Sequence, residues 1–263
     1  MKFTKMQGLG NDYLYVFGTV PGDIADLCRR LSDRHFGAGA DGMIYITPSK
    51  TADFDMRIFN ADGSEAKMCG NGIRCVGKYV YDKGYTDKTA LTIETRSGIR
   101  RLCLHVRGSK VKTVTVEMGM AVVGAESRIS VGGQTVIYTP VSVGNPHAVT
   151  FVEDAETAPL TTLGPLVEKH PAFPGGVNVE FAAPIGQNRL RMRVWERGSG
   201  VTMACGTGAC ATVAAAVARG LCAPGVPVTV VLDGGELAVT VGEDGAVTME
   251  GPAAFVYEGE TLC

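Results

Sequence analysis

The sequence predicts an α+β protein built from two pseudo-equivalent halves, each a β-sheet wrapped around a central helix. The chain has 263 residues, of which 45% are hydrophobic and 20% charged, as in an ordinary globular protein long enough for two domains. Most of it alternates apolar and polar residues between glycine and proline breaks, which is typical of short strands. A ten-residue segment at 63–72 also returns, altered, at 199–208, which indicates a duplication.

Period-two alternation predicts a run of strands in the first half. They lie at 2–7, 13–17, 43–47, 53–59, 90–95, 99–106 and 111–118. Helical spacing of apolar residues predicts helices at 23–35 and 70–83. Asp23 is the expected N-cap of the first helix, because its carboxylate can accept a hydrogen bond from the first turn.

The second half repeats this order of strands, approach strand, turn and helix. Its strands are predicted at 134–143, 147–152, 177–182, 189–196, 227–232, 236–241, 246–250 and 253–258, and its helices at 160–169 and 207–219. We therefore expect a first half over residues 1–117, completed by a C-terminal strand at about 253–263, and a second half over residues 118–252. The active site is expected in the cleft between them.

Each copy of the repeated segment places a cysteine, Cys69 or Cys205, in a Cys-Gly-x-Gly motif that opens an amphipathic stretch. The cysteine then sits at the first turn of a helix, where unpaired backbone N–H groups and the positive helix end lie. That position lowers the pKa of a thiol and can hold an anion such as a carboxylate. Two such sites predict two thiols that share one substrate.

Other features exclude several classes of protein. A net charge of −2 argues against a nucleic-acid or anionic-membrane partner, and the start of the chain lacks an apolar signal segment, so we expect a cytoplasmic protein. Eight cysteines without a CxxC motif favour neither a disulfide framework nor zinc. Cys28, Cys103 and Cys222 are expected to be small buried hydrophobic residues, and Cys75 and Cys210 to be structural. Residues 37–42 match GxGxxG, but a helix precedes and a strand follows, the reverse of a dinucleotide site.

Polar residues gather at further glycine-rich turns. They are Asn11, Asn60, Asn145, Asn178, Glu196 and Arg197. Asparagine is common in turns for backbone reasons alone, and for any single position that interpretation is the stronger one. Together with two thiols they could instead hold amino and carboxylate groups, and His147 could tune a thiol or position a partner.

Six motifs carry a resemblance to a known family. They are Gly8-Leu9-Gly10-Asn11-Asp12, Phe59-Asn60-Ala61-Asp62-Gly63-Ser64, Cys69-Gly70-Asn71-Gly72-Ile73-Arg74-Cys75, Gly144-Asn145-Pro146-His147, Glu196-Arg197-Gly198-Ser199-Gly200 and Ala204-Cys205-Gly206-Thr207-Gly208-Ala209-Cys210. The set closely resembles diaminopimelate epimerase, from about residue 3 to the end of the chain.

The resemblance implies the two-half fold and the interconversion of LL- and meso-diaminopimelate in lysine and cell-wall precursor synthesis, with no pyridoxal phosphate, other cofactor or metal. It implies that Cys69 and Cys205 are the acid–base pair. It implies a small-molecule partner, with a homodimer as one option for the assembly. The residues implied to hold the substrate are Asn11, Asn60, Gly70, Asn71, Asn145, Asn178, Glu196, Arg197, Gly206 and Thr207, with His147 in support.

Two positions depart from the family pattern. Some members have a substrate-binding Gln where this chain has Gly42, and members often have Glu where it has Val201. We therefore expect no substrate contact from position 42, and the second departure affects the expected hydrogen bonding of the loop before Cys205.

Three alternatives stay open at this point. An amino-acid racemase of the same architecture would not need the full set of polar residues for a second amino-acid head group. A thiol–disulfide oxidoreductase would use Cys69 and Cys205 without the usual CxxC. A non-catalytic amino-acid-binding protein would bind without exchanging a proton.

Overall fold

The computed structural model describes residues 1–261, and these form two compact units. The first comprises Met1–Glu117 together with the segment that begins at Gly251, and the second comprises Met118–Glu250. The final two residues of the predicted C-terminal strand, 262 and 263, lie outside the described residues.

The first unit holds two helices within a set of mostly short strands. In chain order its elements are β1 (Lys2–Gly8), β2 (Asn11–Phe17), α1 (Ile24–Ser32), β3 (Gly42–Pro48), β4 (Phe54–Asn60), β5 (Glu65–Ala66), α2 (Gly70–Asp82), β6 (Ala90–Thr95), β7 (Gly98–Arg107) and β8 (Lys110–Met120).

The second unit follows, and the chain ends in one further strand. The elements are β9 (Val122–Val123), β10 (Ser127–Val131), β11 (Gln134–Ser142), β12 (Pro146–Phe151), α3 (Leu160–Glu168), β13 (Asn178–Gly186), β14 (Arg189–Glu196), β15 (Gly200–Val201), α4 (Gly206–Ala218), β16 (Val228–Leu232), β17 (Gly235–Val241), β18 (Ala246–Pro252) and β19 (Ala254–Glu260).

The strand pairing of the first unit explains the place of its two helices. Strands β1 and β2 are antiparallel, β2 and β3 are parallel, β3 and β4 are antiparallel, and β4 and β6 are parallel. Parallel neighbours need a crossover connection, and α1 and α2 are those crossovers. Strands β7 and β8 extend the sheet, and β19 returns to pair with β1. Helix α2 is buried from Gly70 to Val80 and is therefore the central helix of this unit.

The second unit repeats this scheme strand for strand. Antiparallel β11 and β12 are followed by parallel β12 and β13, antiparallel β13 and β14, and parallel β14 and β16. Helix α4 is the counterpart of α2, and its alanine-rich sequence is buried on nearly all sides, as expected of a helix enclosed by a sheet. The sequence expectation of two similar halves, each a sheet around a central helix, is confirmed.

Three local expectations differ from the structure. Helix α1 ends at Ser32 because the Asp33 carboxylate accepts hydrogen bonds from the backbone N–H groups of His35 and Phe36, which turns the chain out of the helix. Asp23 occupies the N-cap position, but its side chain makes no capping hydrogen bond. Cys103 is exposed on strand β7, since it falls on the solvent side of the alternation, and is not a buried residue.

Within residues 1–261, no helix is both long and apolar enough to cross a membrane.

Candidate active site

Cys69 is the N-cap residue of helix α2. Its backbone is extended, with φ −140° and ψ 116°, and its sulfur accepts a hydrogen bond from the Gly72 backbone N–H at 3.3 Å. A cysteine sulfur here does what a serine or aspartate oxygen does at other helix starts. The thiol is partly exposed and lies at the positive end of a buried helix.

The Cys69 thiol also faces an amide whose orientation is fixed by a carboxylate. The Asn11 Nδ2 group donates to Asp41 Oδ2 at 2.8 Å, so the Asn11 oxygen points the other way and accepts from the Cys69 sulfur at 3.3 Å. Asp41 is held in turn by Arg34, which also bonds Asp12. The strand that begins at Asn11 therefore presents a hydrogen-bond acceptor, and not a donor, to Cys69.

The first turn of α2 is organised from inside by a buried cation. Arg74 is fully buried, and its guanidinium donates to Gly70 O at 3.0 Å, to Asn71 Oδ1 at 3.0 Å and to Pro252 O at 3.2 Å. Asn71 is thus buried with its side chain directed toward Arg74. Asn60 ends strand β4, and its amide donates to Ser64 Oγ at 3.1 Å within the turn that leads to Cys69.

Cys205 is the N-cap residue of helix α4 and repeats the geometry of Cys69. Its φ and ψ are −118° and 108°, and its sulfur accepts from the Gly208 backbone N–H at 3.3 Å. The matching approach elements, β4 with β5 and β14 with β15, lead into both helices. The sequence repeat therefore reflects one structural device used twice.

The surroundings of Cys205 are more buried and more acidic. Cys205 is 6% exposed, and burial, followed by the nearby Glu196 and Glu180 carboxylates, raises the pKa of its thiol well above the usual value. Glu196 accepts a hydrogen bond from Thr202 Oγ1 at 2.5 Å, and the neighbouring Cys205 thiol acts to lower the pKa of its carboxyl group. Burial is the largest cause that raises the pKa of Glu196. This carboxyl group is therefore a stronger base than an exposed glutamate.

A series of hydrogen bonds connects the Cys205 sulfur with the buried residues His147 and Glu180 of the second unit. Thr207 Oγ1 lies 3.5 Å from that sulfur, and Asn145 Nδ2 donates to Thr207 Oγ1 at 3.2 Å. His147 Nε2 lies 3.1 Å from Asn145 Oδ1, and His147 Nδ1 lies 2.6 Å from Glu180 Oε1. His147 and Glu180 are essentially inaccessible to solvent.

Asn178, the first residue of β13, lies opposite His147 and is joined to Arg197 by a hydrogen bond. The Asn178 Nδ2 group donates to Pro146 O at 3.2 Å, and its oxygen accepts from the Arg197 backbone N–H at 2.9 Å. The Arg197 guanidinium donates to Gly175 O at 3.0 Å. Asn178 is buried, whereas Arg197 is exposed, so the guanidinium can meet a ligand from solvent.

The structure thus connects most of the predicted site residues by direct hydrogen bonds within each unit. Asn11 meets Cys69, and Asn145, Thr207 and Glu196 meet Cys205 directly or through one another. Sequence reasoning missed four residues that hold these groups in place, namely Asp41, Arg74, Thr202 and Glu180. For Asp41 and Arg74 a signal existed, since each lies within a glycine-rich motif already singled out. Glu180 sits in an ordinary strand pattern and gave none.

The two departures from the family pattern have structural explanations. At Gly42 a Cβ atom would lie 2.0 Å from Phe59 O, on a backbone with φ +156°, so this position does not accept a longer side chain. Val201 lies on β15 with 43% of its surface exposed, away from the hydrogen bonds of Cys205. In the described part of the chain, no group of three or more His, Cys, Asp or Glu residues could hold a metal ion.

Comparison with known proteins identifies the family. The family model for diaminopimelate epimerase matches residues 3–124 and 139–256. A diaminopimelate epimerase of Bacteroides thetaiotaomicron is 52% identical over 264 residues, with 99% of this chain and 97% of that protein covered. One from Methanococcus maripaludis is 49% identical over 279 residues, with 99% of both covered.

Solved structures with low identity share the fold. A hydroxyproline epimerase from Agrobacterium vitis superposes with a TM-score of 0.74 at 21% identity, covering 99% of this chain and 90% of that one. A Bacillus anthracis phenazine biosynthesis protein superposes with a TM-score of 0.78 at 16% identity, covering 100% and 99%. The chain therefore shares the fold of these two proteins, and by its family model and its relatives it is an isomerase that belongs to the diaminopimelate epimerase family.

Proposed function

We propose that this enzyme interconverts LL- and meso-diaminopimelate by moving a proton at the α-carbon, with Cys69 and Cys205 as the acid–base pair and without a cofactor. The observation that supports this is the paired helix cap. Two cysteines in one chain share the same backbone conformation and the same sulfur-to-backbone hydrogen bond. In this proposal the reaction belongs to lysine and cell-wall precursor synthesis in the cytoplasm.

Inversion of a stereocentre needs a base for one face of the carbon and an acid for the other. Two thiols supply both without any residue having to move around the carbon, and their roles exchange with the direction of the reaction. Loss of the α-proton spreads negative charge into the adjacent carboxylate. Backbone N–H groups at the helix starts, Gly70–Asn71 and Gly206–Thr207, are the donors that would stabilise this charge.

The groups around each thiol indicate whether it is protonated or ionised when the reaction begins. Cys69 donates to the Asn11 oxygen, which can only accept, and this contact favours the protonated thiol. Cys205 has a strongly raised pKa, so it needs a base nearby before it can act as a thiolate. The Glu196 carboxyl group is close enough to Cys205 for each to shift the pKa of the other, and we assign Glu196 to receive the Cys205 proton.

The remaining polar residues would hold the rest of the substrate. Diaminopimelate carries a second ammonium and carboxylate that do not react. The exposed Arg197 guanidinium can grip a carboxylate through two parallel hydrogen bonds. Amide groups can serve both ends of an amino acid, since each carries a donor and an acceptor. The amides proposed for this are Asn11, Asn60, Asn145 and Asn178.

The deciding experiment is ¹H NMR of diaminopimelate with the enzyme in D₂O under reductant. We expect the α-proton signal to disappear while the LL and meso forms equilibrate. Lysine and alanine at the same concentration should exchange negligibly. Equal exchange of lysine would replace this proposal with a general amino-acid racemase, and binding of diaminopimelate without exchange would make the protein a binding protein.

A further inference from the structure

A buried histidine–glutamate pair is connected to Cys205 through Asn145 and Thr207, and it has no role in the proposed proton transfer. His147 is on β12 and Glu180 is on β13, which run parallel, and a 2.6 Å contact joins Nδ1 to Oε1. The second oxygen of Glu180, Oε2, has no hydrogen-bond partner among the described residues. Gly208, in the first turn of α4, leaves space for this carboxyl group, because a Cβ atom there would lie 2.8 Å from Oε1.

The contacts on either side of the ring determine where its protons lie. The Asn145 oxygen can only accept, so His147 Nε2 carries a proton and donates it at 3.1 Å. A further proton must lie between Nδ1 and Oε1. The pair therefore has no net charge, whether that proton sits on the carboxyl group or on the ring.

The opposite arrangement would be costly. If the Asn145 amide were reversed, Nε2 would be an acceptor and the only ring proton would face Glu180. An ionised carboxylate would then be fully buried with a single hydrogen bond and one unpaired oxygen. Burying a charge with so few partners is far less favourable than burying a neutral pair. Burial thus selects the direction of the hydrogen bonds.

The direction of these hydrogen bonds also determines which group donates to the Cys205 sulfur. Asn145 uses its oxygen for His147, so its Nδ2 group donates to Thr207 Oγ1 at 3.2 Å. The Thr207 oxygen is then an acceptor in that bond, and its own proton is available for Cys205 at 3.5 Å. A hydroxyl that donates to sulfur stabilises the thiolate more than the thiol.

We propose that Glu180 is a positioning residue that acts through His147 and Asn145 to hold the Thr207 hydroxyl as a hydrogen-bond donor to the Cys205 sulfur. The inference rests on the proposed role of Cys205 as an acid–base group. The hydrogen bond from Thr207 favours the Cys205 thiolate, whereas the Glu196 and Glu180 carboxyl groups near this thiol disfavour it. Glu180 would then assist the thiolate through the relay.

The first test is independent of activity. In protein labelled with ¹⁵N-histidine, Nε2 of His147 should show the chemical shift of a nitrogen that carries a proton, and Asn145→Ala should alter that shift. The chain has four histidines, so His147→Gln assigns the signal. A shift typical of an unprotonated Nε2 would overturn the proposal, because the relay would then point away from Cys205. This result stands whether or not diaminopimelate is the substrate.

The second test is a double-mutant cycle on kcat for α-proton exchange. Glu180→Met should lower kcat by roughly fivefold to tenfold, the effect of one weakened hydrogen bond to a charged group. Glu180→Gln, which can still donate to Nδ1, should restore most of that loss. In a Thr207→Val background, where the hydroxyl is absent, Glu180→Met should have little further effect.

Two outcomes of the cycle contradict the proposal. The same loss in both backgrounds would mean that Glu180 acts on the fold and not through Thr207. A faster reaction of Glu180→Met in both backgrounds would mean that Glu180 acts as a bare negative charge on Cys205. Absence of exchange in the unsubstituted enzyme would instead refute the proposed function, and the ¹⁵N measurement would still decide the direction of the relay.

Discussion

Cys69 and Cys205 present their sulfurs in the same way and meet different partners. Both accept a backbone N–H from the residue three positions later. Cys69 then faces a neutral amide oxygen, whereas Cys205 faces a hydroxyl and a carboxyl group. We infer that the two thiols are not interchangeable, although the reaction needs both of them.

Replacing either cysteine should stop the proposed reaction. We expect Cys69→Ala and Cys205→Ala each to lower turnover by about a thousandfold or more, because each removes one half of an acid–base pair. The double variant should be little worse than either single one, since residues that act as a unit do not contribute additively. The measurement is epimer equilibration followed by NMR in D₂O.

Cys75→Ala is the matched control, because Cys75 lies on the same helix as Cys69 and burial raises the pKa of its thiol to about 11. It should keep its turnover and lose only some stability. Near-normal turnover in a folded Cys69→Ala or Cys205→Ala variant would contradict the two-thiol mechanism.

Arg197 should govern the choice of substrate. We expect Arg197→Met to lower kcat/KM for diaminopimelate by about a hundredfold, because a bidentate bond to the unreactive carboxylate is lost. Steady-state kinetics measures this. Arg189→Met, which removes a half-buried arginine paired with Glu236 at the start of the strand that precedes Arg197, is the control and should change little. An equal effect of both substitutions would show that general charge, and not a clamp, attracts the substrate.

At the scale of elements, the helix starts are where sequence and structure agree best. Helix α2 begins at Gly70 and α4 at Gly206, each within a residue of the position that the Cys-Gly-x-Gly motif predicts. Local signals suffice there, because a cap, a glycine and an amphipathic run lie within a few positions. The strands β5, β9, β10 and β15 were not predicted, and three of them have only two residues, too few to show any periodicity.

Contacts between distant residues could not be predicted in the same way. Glu180 lies 33 positions from His147 and meets it only because β12 and β13 pair in parallel. The Arg74 side chain donates to the Pro252 carbonyl oxygen, which lies 178 positions further along the sequence. Such partners depend on strand order and register, which no local pattern contains.

Glycine at the start of α4 should be essential for this element. We expect Gly208→Ala to lower both turnover and the free energy of unfolding, the latter by about 1–3 kcal/mol, because its Cβ would lie 2.8 Å from Glu180 Oε1 and 3.2 Å from Cys205 Sγ. Urea unfolding and the exchange assay measure the two effects. Gly186→Ala in the same unit is the control, since its nearest neighbour would be 3.9 Å away. Equal stability of the two variants would contradict the close contact.

At the scale of the whole molecule, ion pairs of the first unit should set the resistance to acid. Hydrogen bonds from Arg57, and then from Arg96, lower the pKa of Glu65 to about 2. A bond from Lys88 likewise lowers the pKa of Asp53 to about 2. A carboxyl group with a depressed folded pKa stabilises the fold fully above its unfolded pKa. That contribution is lost as the pH falls toward the folded value.

The unfolding midpoint should therefore fall as the pH decreases from about 5 toward 2. Glu65→Gln should lower the free energy of unfolding at neutral pH by on the order of 1 kcal/mol, allowing for solvent screening, and should flatten the acid dependence. Urea unfolding across this pH range tests both effects. Glu117→Gln, which removes a wider and more exposed pair with Arg101, is the control. An unchanged slope in Glu65→Gln would assign the acid sensitivity to other groups.

The last strand of the chain belongs to the unit that contains its beginning. Strand β19 pairs with β1, and the Pro252 oxygen completes the bonds of Arg74 beneath Cys69. During synthesis on the ribosome, residues 118–250 are all made before that strand exists, a delay on the order of ten seconds at about 5–20 residues per second. The continuous second unit can fold within this time, while the unit around Cys69 must wait. Translation thus finishes the Cys205 half first, and a chain released before strand β19 is made would contain only one completed half.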